Sequence, residues 1–82
     1  MNKIEFINFL KKHAENAGVY RGRFVPYSNS NEDYWSYVRP AVDCFEPTIN
    51  LSKDGVVEYV NYGDKTEFYT YEDFIKFYKL TL

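Results

Sequence analysis

The chain has 82 residues, of which 21% are aromatic, with a single cysteine and a formal net charge of −2. At that length one domain spanning 1–82 is expected, with a core that removes only roughly 60% of the unfolded chain's surface from water. Lone Cys44 excludes an internal disulfide framework and a cysteine-based zinc site. No apolar run approaches the roughly 20 residues that span a bilayer. The opening MNKIEF carries no apolar signal-like stretch, so a reduced, cytoplasmic protein is expected.

The first element in chain order is a helix. Phe6, Ile7, Leu10, Ala14 and Ala17 gather on one side of a 3.6-residue wheel, with Glu5, Asn8, Lys12 and Glu15 opposite. Asn2 and Glu5 form an Asn-x-x-Glu start, and Gly18 supplies a left-handed stop. Residues 19–27 then read as a strand, and Gly22 and Pro26 assign it to an edge or a bulge. Left at the sheet edge, such a strand offers a route to a homodimer. Residues 28–47 stay open. Ser30 with Asp33 caps a helical turn that Pro40 ends, whereas Tyr34 to Arg39 also has the aromatic content of a strand. The pattern leans to the helical turn.

From about 48 to 70 the chain reads as a three-stranded antiparallel meander. A three-residue loop Lys53-Asp54-Gly55 sets Leu51 against Val57 and Ile49 against Tyr59, one apolar row. A two-residue loop would put Glu58 opposite Ile49 in that row, so the longer loop is expected. Gly63-Asp64 resembles a two-residue turn with glycine first, pairing Tyr59 with Phe68. The other face then carries Asn50, Val56, Glu58, Val60, Glu67 and Tyr69. Thr70, with Asp73 three residues on, opens a final helix whose apolar side is Tyr71, Phe74, Ile75, Tyr78 and Leu82. The expected architecture is a two-layer α+β domain: N-terminal helix, edge strand, meander and C-terminal helix, with both helices on one face of the sheet.

No catalytic set emerges, and no enzyme is expected. His13, the only histidine, falls at the edge of the first helix's apolar side and reads as a boundary residue. Cys44 reads as a small half-buried thiol, and no local signature supports a Cys–His dyad. The glycines are scattered and none opens a helix after a strand, so no phosphate loop is expected. No metal or cofactor site is expected either, since Asp54 and Asp64 sit in separate turns with no calcium-loop spacing around them.

Charge is uneven along the chain. Residues 1–23 carry five cations and two acids, whereas 32–73 carry ten acids against Arg39, Lys53 and Lys65. Such a segment repels phosphate backbones, making nucleic acid a poor partner, and favours a basic protein surface. Nine tyrosines exceed what a small core satisfies, so several are expected outside, where tyrosine is a common interface residue. The expected contact surface comprises Asp54, Glu58, Val60, Tyr62, Asp64, Glu67 and Tyr69, with Tyr34, Tyr37, Glu32 and Asp33 as secondary candidates. It reads as an acidic, tyrosine-rich patch for a larger basic protein. Usage rich in Phe, Tyr, Asn, Lys and Ile and poor in Gly, Ala, Arg and Pro fits a low-GC bacterium or its mobile elements. The narrowest functional expectation is a small mobile-element inhibitor, anti-CRISPR-like in action, of a nucleic-acid-handling host protein. Two other readings stand beside it. One is a single-stranded nucleic-acid binder through Tyr20, Arg21, Arg23 and Phe24; the other is an aromatic pocket for a small ligand such as a nucleotide.

Overall fold

Asn2 begins the first helix as the sequence leads one to expect. Its side chain accepts from the Glu5 N–H at 2.9 Å, and the Glu5 carboxylate accepts from the Asn2 N–H at 2.8 Å. The structure, a computed structural model, describes residues 1–28, 31–39, 45–60 and 63–81, with only the backbone of Asn31, Phe45 and Glu46. Helix α1 (Lys3–Ala17) buries Phe6, Leu10, His13 and Ala17, a stripe at i, i+4, i+7 and i+11. His13 therefore lies inside that stripe and not at its edge, while Ile7 and Ala14 are only half-buried.

Five strands follow: β1 (Arg23–Ser28), β2 (Asn31–Val38), β3 (Phe45–Leu51), β4 (Val56–Tyr59) and β5 (Lys65–Phe68). They form one antiparallel sheet in sequence order, β1-β2-β3-β4-β5, and helix α2 (Tyr71–Tyr78) closes the fold. The domain is α+β with both helices on one face. Residues 31–38 are a strand where the sequence leans to a helical turn. Trp35 and half-buried Tyr37 pack into the core from one side of the strand, while Tyr34 is exposed on the other. Burial of a whole indole outweighs a local cap, and Trp35 satisfies its Nε1–H on the Glu32 carbonyl at 2.6 Å. β1 starts four residues later than expected, leaving Tyr20 in the turn after α1.

Both hairpin registers differ from expectation. Leu51 pairs with Val56 and Ile49 with Glu58, so the β3–β4 turn is the two-residue Lys53-Asp54. Val57 pairs with Glu67 and Tyr59 with Lys65, and the Val60 N–H meets the Asp64 carbonyl at 2.9 Å across a three-residue loop ending in Gly63. Gly63 has φ +85°, so the left-handed glycine belongs to the second hairpin, not the first. Ser52 decides the first turn. Its N–H donates to the Gly55 carbonyl at 2.9 Å, its hydroxyl oxygen accepts from the Gly55 N–H at 3.0 Å, and its carbonyl accepts from the Tyr71 hydroxyl. Gly55 is glycine for space: a Cβ there would stand 2.1 Å from the Phe68 carbonyl oxygen.

The core is aromatic. Phe74 of α2 touches Phe6 of α1 (5.7 Å between centroids), Phe24 of β1 (5.2 Å) and Phe68 of β5 (5.3 Å). β1 and β5 are the two edges of the sheet, about 19 Å apart if it were flat. Their rings meet the same side chain, so the sheet coils around α2. Two ion pairs tie α1 to β2, Lys3–Asp33 at 2.5 Å and Lys11–Glu32 at 2.6 Å. Because the carbonyl facing Gly55 is backbone and cannot swing aside, Gly55→Ala is expected to lose about 1–3 kcal/mol and lower Tm by several degrees. Thermal unfolding followed by circular dichroism checks this, and an unchanged Tm would contradict the β4–β5 packing described.

Candidate functional site

With both helices on one side, the other side of the sheet is where surface chemistry collects. The β2, β3, β4 and β5 residues Tyr34, Asn50, Val57 and Glu67 are successive cross-strand partners and form one row across it. A second row runs Ser36, Thr48, Tyr59 and Lys65. Asn50, Val57 and Thr48 are half-buried, while Tyr34, Tyr59, Lys65 and Glu67 are exposed. Ser36, by contrast, is buried, so the face is open toward Tyr34, Tyr59 and Glu67 rather than along its whole length.

A shallow cleft lies at each end of the first row. One, about 340 Å³, is bounded by Tyr27, Ser28, Tyr34 and Thr48. Tyr27 sits at the irregularity between Pro26 and Ser28 in the β1–β2 pairing and is 70% exposed. The other cleft, about 290 Å³, is lined by Asp54, Gly55, Val57, Glu67 and Tyr69 among others, the last 79% exposed. A carboxylate pair beside a phenol ring is suited to a guanidinium or ammonium group, through charge-assisted hydrogen bonds and ring contact. Glu67 also stands 3.8 Å from Lys65, an exposed and weakly held pair.

The seven expected contact residues separate. Asp54, Glu67 and Tyr69 come together in the second cleft. Val60 and Asp64 are exposed at the β4–β5 turn, and Tyr62 lies outside the described residues. Glu58 is the correction: it is only 7% exposed, on the helix side of the sheet between Ile49 and Thr66, and its Oε2 has no hydrogen-bond partner among the described residues. Burial pushes its carboxyl above the usual range. Of the secondary candidates, Tyr34 is exposed on the open face, Tyr37 packs on Phe24 and Tyr78, and Glu32 and Asp33 are held by lysines of α1. Sequence reasoning missed Tyr27 and Tyr59. Tyr59 sits on the open face because β4 is turned over relative to the expected register, and no local signal at Tyr59 reports that.

The alternative nucleic-acid residues do not share a platform. Phe24 is buried in the core, and Tyr20 is 86% exposed in the turn after α1. His13 is buried against Phe9, and burial followed by the charge of Arg21 holds its imidazole below the ordinary value of 6.5. Cys44 lies outside the described residues. Among the described residues no group of three or more His, Cys, Asp or Glu side chains is placed to hold a metal ion, and no helix is long and apolar enough to cross a membrane. Scans of protein-family models, curated proteins and solved structures each find no match to the chain.

Glu58 and His13 give opposite pH dependences. The raised carboxyl favours the protonated folded state, so its contribution is complete below the unfolded value and lost as pH rises through the folded one. The lowered imidazole contributes above 6.5 and is lost as pH falls. Glu58→Gln is expected to raise Tm at pH 7, by several degrees for a gain on the order of 1 kcal/mol, and to change nothing near pH 4. Melting curves at the two pH values decide; equal shifts at both would point to shape rather than charge.

Proposed function

We propose that this chain is a non-enzymatic protein-binding module whose contact surface is the open sheet face between the two clefts. The observation that carries the reading is the row Tyr34–Asn50–Val57–Glu67, which joins a tyrosine-walled cleft to an acidic one on a single face. Tyrosine supplies a large contact area with few rotatable bonds, and such rings dominate binding where they seat in pockets. The row extends about 14 Å across three strand spacings, enough for a short partner segment to lie over it.

The partner is a protein with a basic surface. An apolar or aromatic side chain of that partner enters between Tyr27 and Tyr34, and an arginine or lysine reaches Asp54, Glu67 and Tyr69. The narrower reading, a mobile-element inhibitor of a nucleic-acid-handling host enzyme such as a CRISPR effector, is supported by amino-acid usage and by the acidic cleft alone. A small planar ligand in the Tyr27–Tyr34 cleft is the second reading, favoured by the two tyrosines that line it; a nucleoside that raises Tm in a thermal-shift screen would support it.

Capture from a low-GC bacterial lysate, followed by titration of the purified partner, tests the main reading. Tyr34→Ala is expected to weaken binding by about 2 kcal/mol, roughly thirtyfold. The double variant Asp54→Asn/Glu67→Gln is expected to remove most of the salt dependence. A partner held equally by wild type and both variants would show that binding occurs elsewhere.

A further inference from the structure

The hydrogen-bonding phase of the last hairpin leaves one backbone edge with a defined pattern. Because the Val60 N–H bonds the Asp64 carbonyl, that pair is hydrogen-bonded. Alternation along an antiparallel ladder then makes Glu58–Thr66 and Val56–Phe68 hydrogen-bonded too. Lys65 and Glu67 belong to the intervening pairs, so their N–H and C=O groups point away from β4, to the free edge of the sheet. Lys65, Thr66 and Glu67 are all exposed. The opposite edge is poorly suited to pairing: Pro26 of β1 has no N–H to give, and the pairing shifts between Pro26 and Ser28.

We infer that the β5 edge pairs with the β5 edge of a second copy across a two-fold axis at Thr66. Three antiparallel two-fold registers satisfy the outward groups of this strand. One places Lys65 opposite Lys65 of the other copy, and one places Glu67 opposite Glu67; both set like charges face to face. The third places Lys65 of each copy opposite Glu67 of the other. Only this register has every outward N–H and C=O of Lys65 and Glu67 bonded and the charges complementary. Both side chains lie on the open face of the sheet, so the two copies set four charges of alternating sign around the axis. Lysine on a sheet edge ordinarily discourages pairing, but here it meets a carboxylate. The strand has four residues, so the interface is small and the dimer weak. The product is one continuous sheet of ten strands. The pairing engages Glu67, which the proposed contact surface also uses, but it is measured on the chain alone, so its failure and the failure of that reading are distinguishable.

Sedimentation equilibrium from about 10 μM to about 1 mM, the range where so small an interface is populated, tests it. Wild type is expected to move from monomer to dimer across that range. Lys65→Glu and Glu67→Lys should each weaken association about tenfold by placing like charges opposite one another. The double variant Lys65→Glu/Glu67→Lys should restore it, because exchanging the charges preserves the complementarity. Glu67→Pro removes an outward N–H that no internal bond uses and should give a monomer with unchanged melting; if that variant fails to fold, the charge-exchange series decides by itself. A monomer at every concentration, single reversals without effect, no recovery in the double variant, or a folded Glu67→Pro protein that still dimerises would each overturn the inference.

Discussion

The fold hangs on one aromatic ring. Phe74 of α2 touches α1 through Phe6, one edge of the sheet through Phe24 and the other through Phe68, and its own helix through Tyr78. Phe6 on Tyr71, Phe24 on Tyr78 and Phe68 on Phe77 repeat those links one at a time, whereas Phe74 makes all three, and a buried phenylalanine is worth about 3–5 kcal/mol when truncated. Coiling the sheet around Phe74 brings both helices to one side. The other side is left as surface, and the geometry of that surface follows from the register of the strands beneath it.

That register reflects a local contest with a legible outcome. The hydrophobic pattern alone favours a loop that keeps Glu58 in water. Against it stand the four hydrogen bonds through which Ser52 closes the turn and anchors Tyr71, each worth about 0.5–1.5 kcal/mol net, together with the close packing of Gly55 on the β5 carbonyl. An unpaired buried polar group costs about 1–3 kcal/mol. The two sums are of similar size, and the turn prevails with Glu58 buried beside Ile49 and Thr66. Turning β4 over has a second effect, since it places Val57 and Tyr59 on the open face.

Charge follows the same logic. The described carboxylates of the acidic middle of the chain are dispersed. Glu32 and Asp33 meet lysines of α1, Glu72 meets the N-terminal amine at 2.6 Å, and Glu58 is inside. Among the described carboxylates, Asp54 and Glu67 line one cleft together with Tyr69. For the basic partner proposed above, an acidic cleft at the far end of the row from a tyrosine-walled one would be more selective than a diffuse acidic patch, because it would set where along that partner the positive group falls.

Short-range signals specify α1 with its Asn2–Glu5 box, α2 with its Thr70 cap, the antiparallel run from about 48 to 70, and the α+β class with both helices on one side. These depend on bonds and spacings within a few residues, which a pattern records directly. Tertiary contacts settle that 31–38 is a strand, that Glu58 is buried, and that Tyr27 and Tyr59 share the open face with Tyr34. Each of those depends on atoms distant along the chain: the core that receives Trp35, the Tyr71 hydroxyl on the Ser52 carbonyl, and the β5 backbone against Gly55. A single strand's pattern carries no record of which partner it will meet, and a shift of one residue in pairing moves every side chain to the other face.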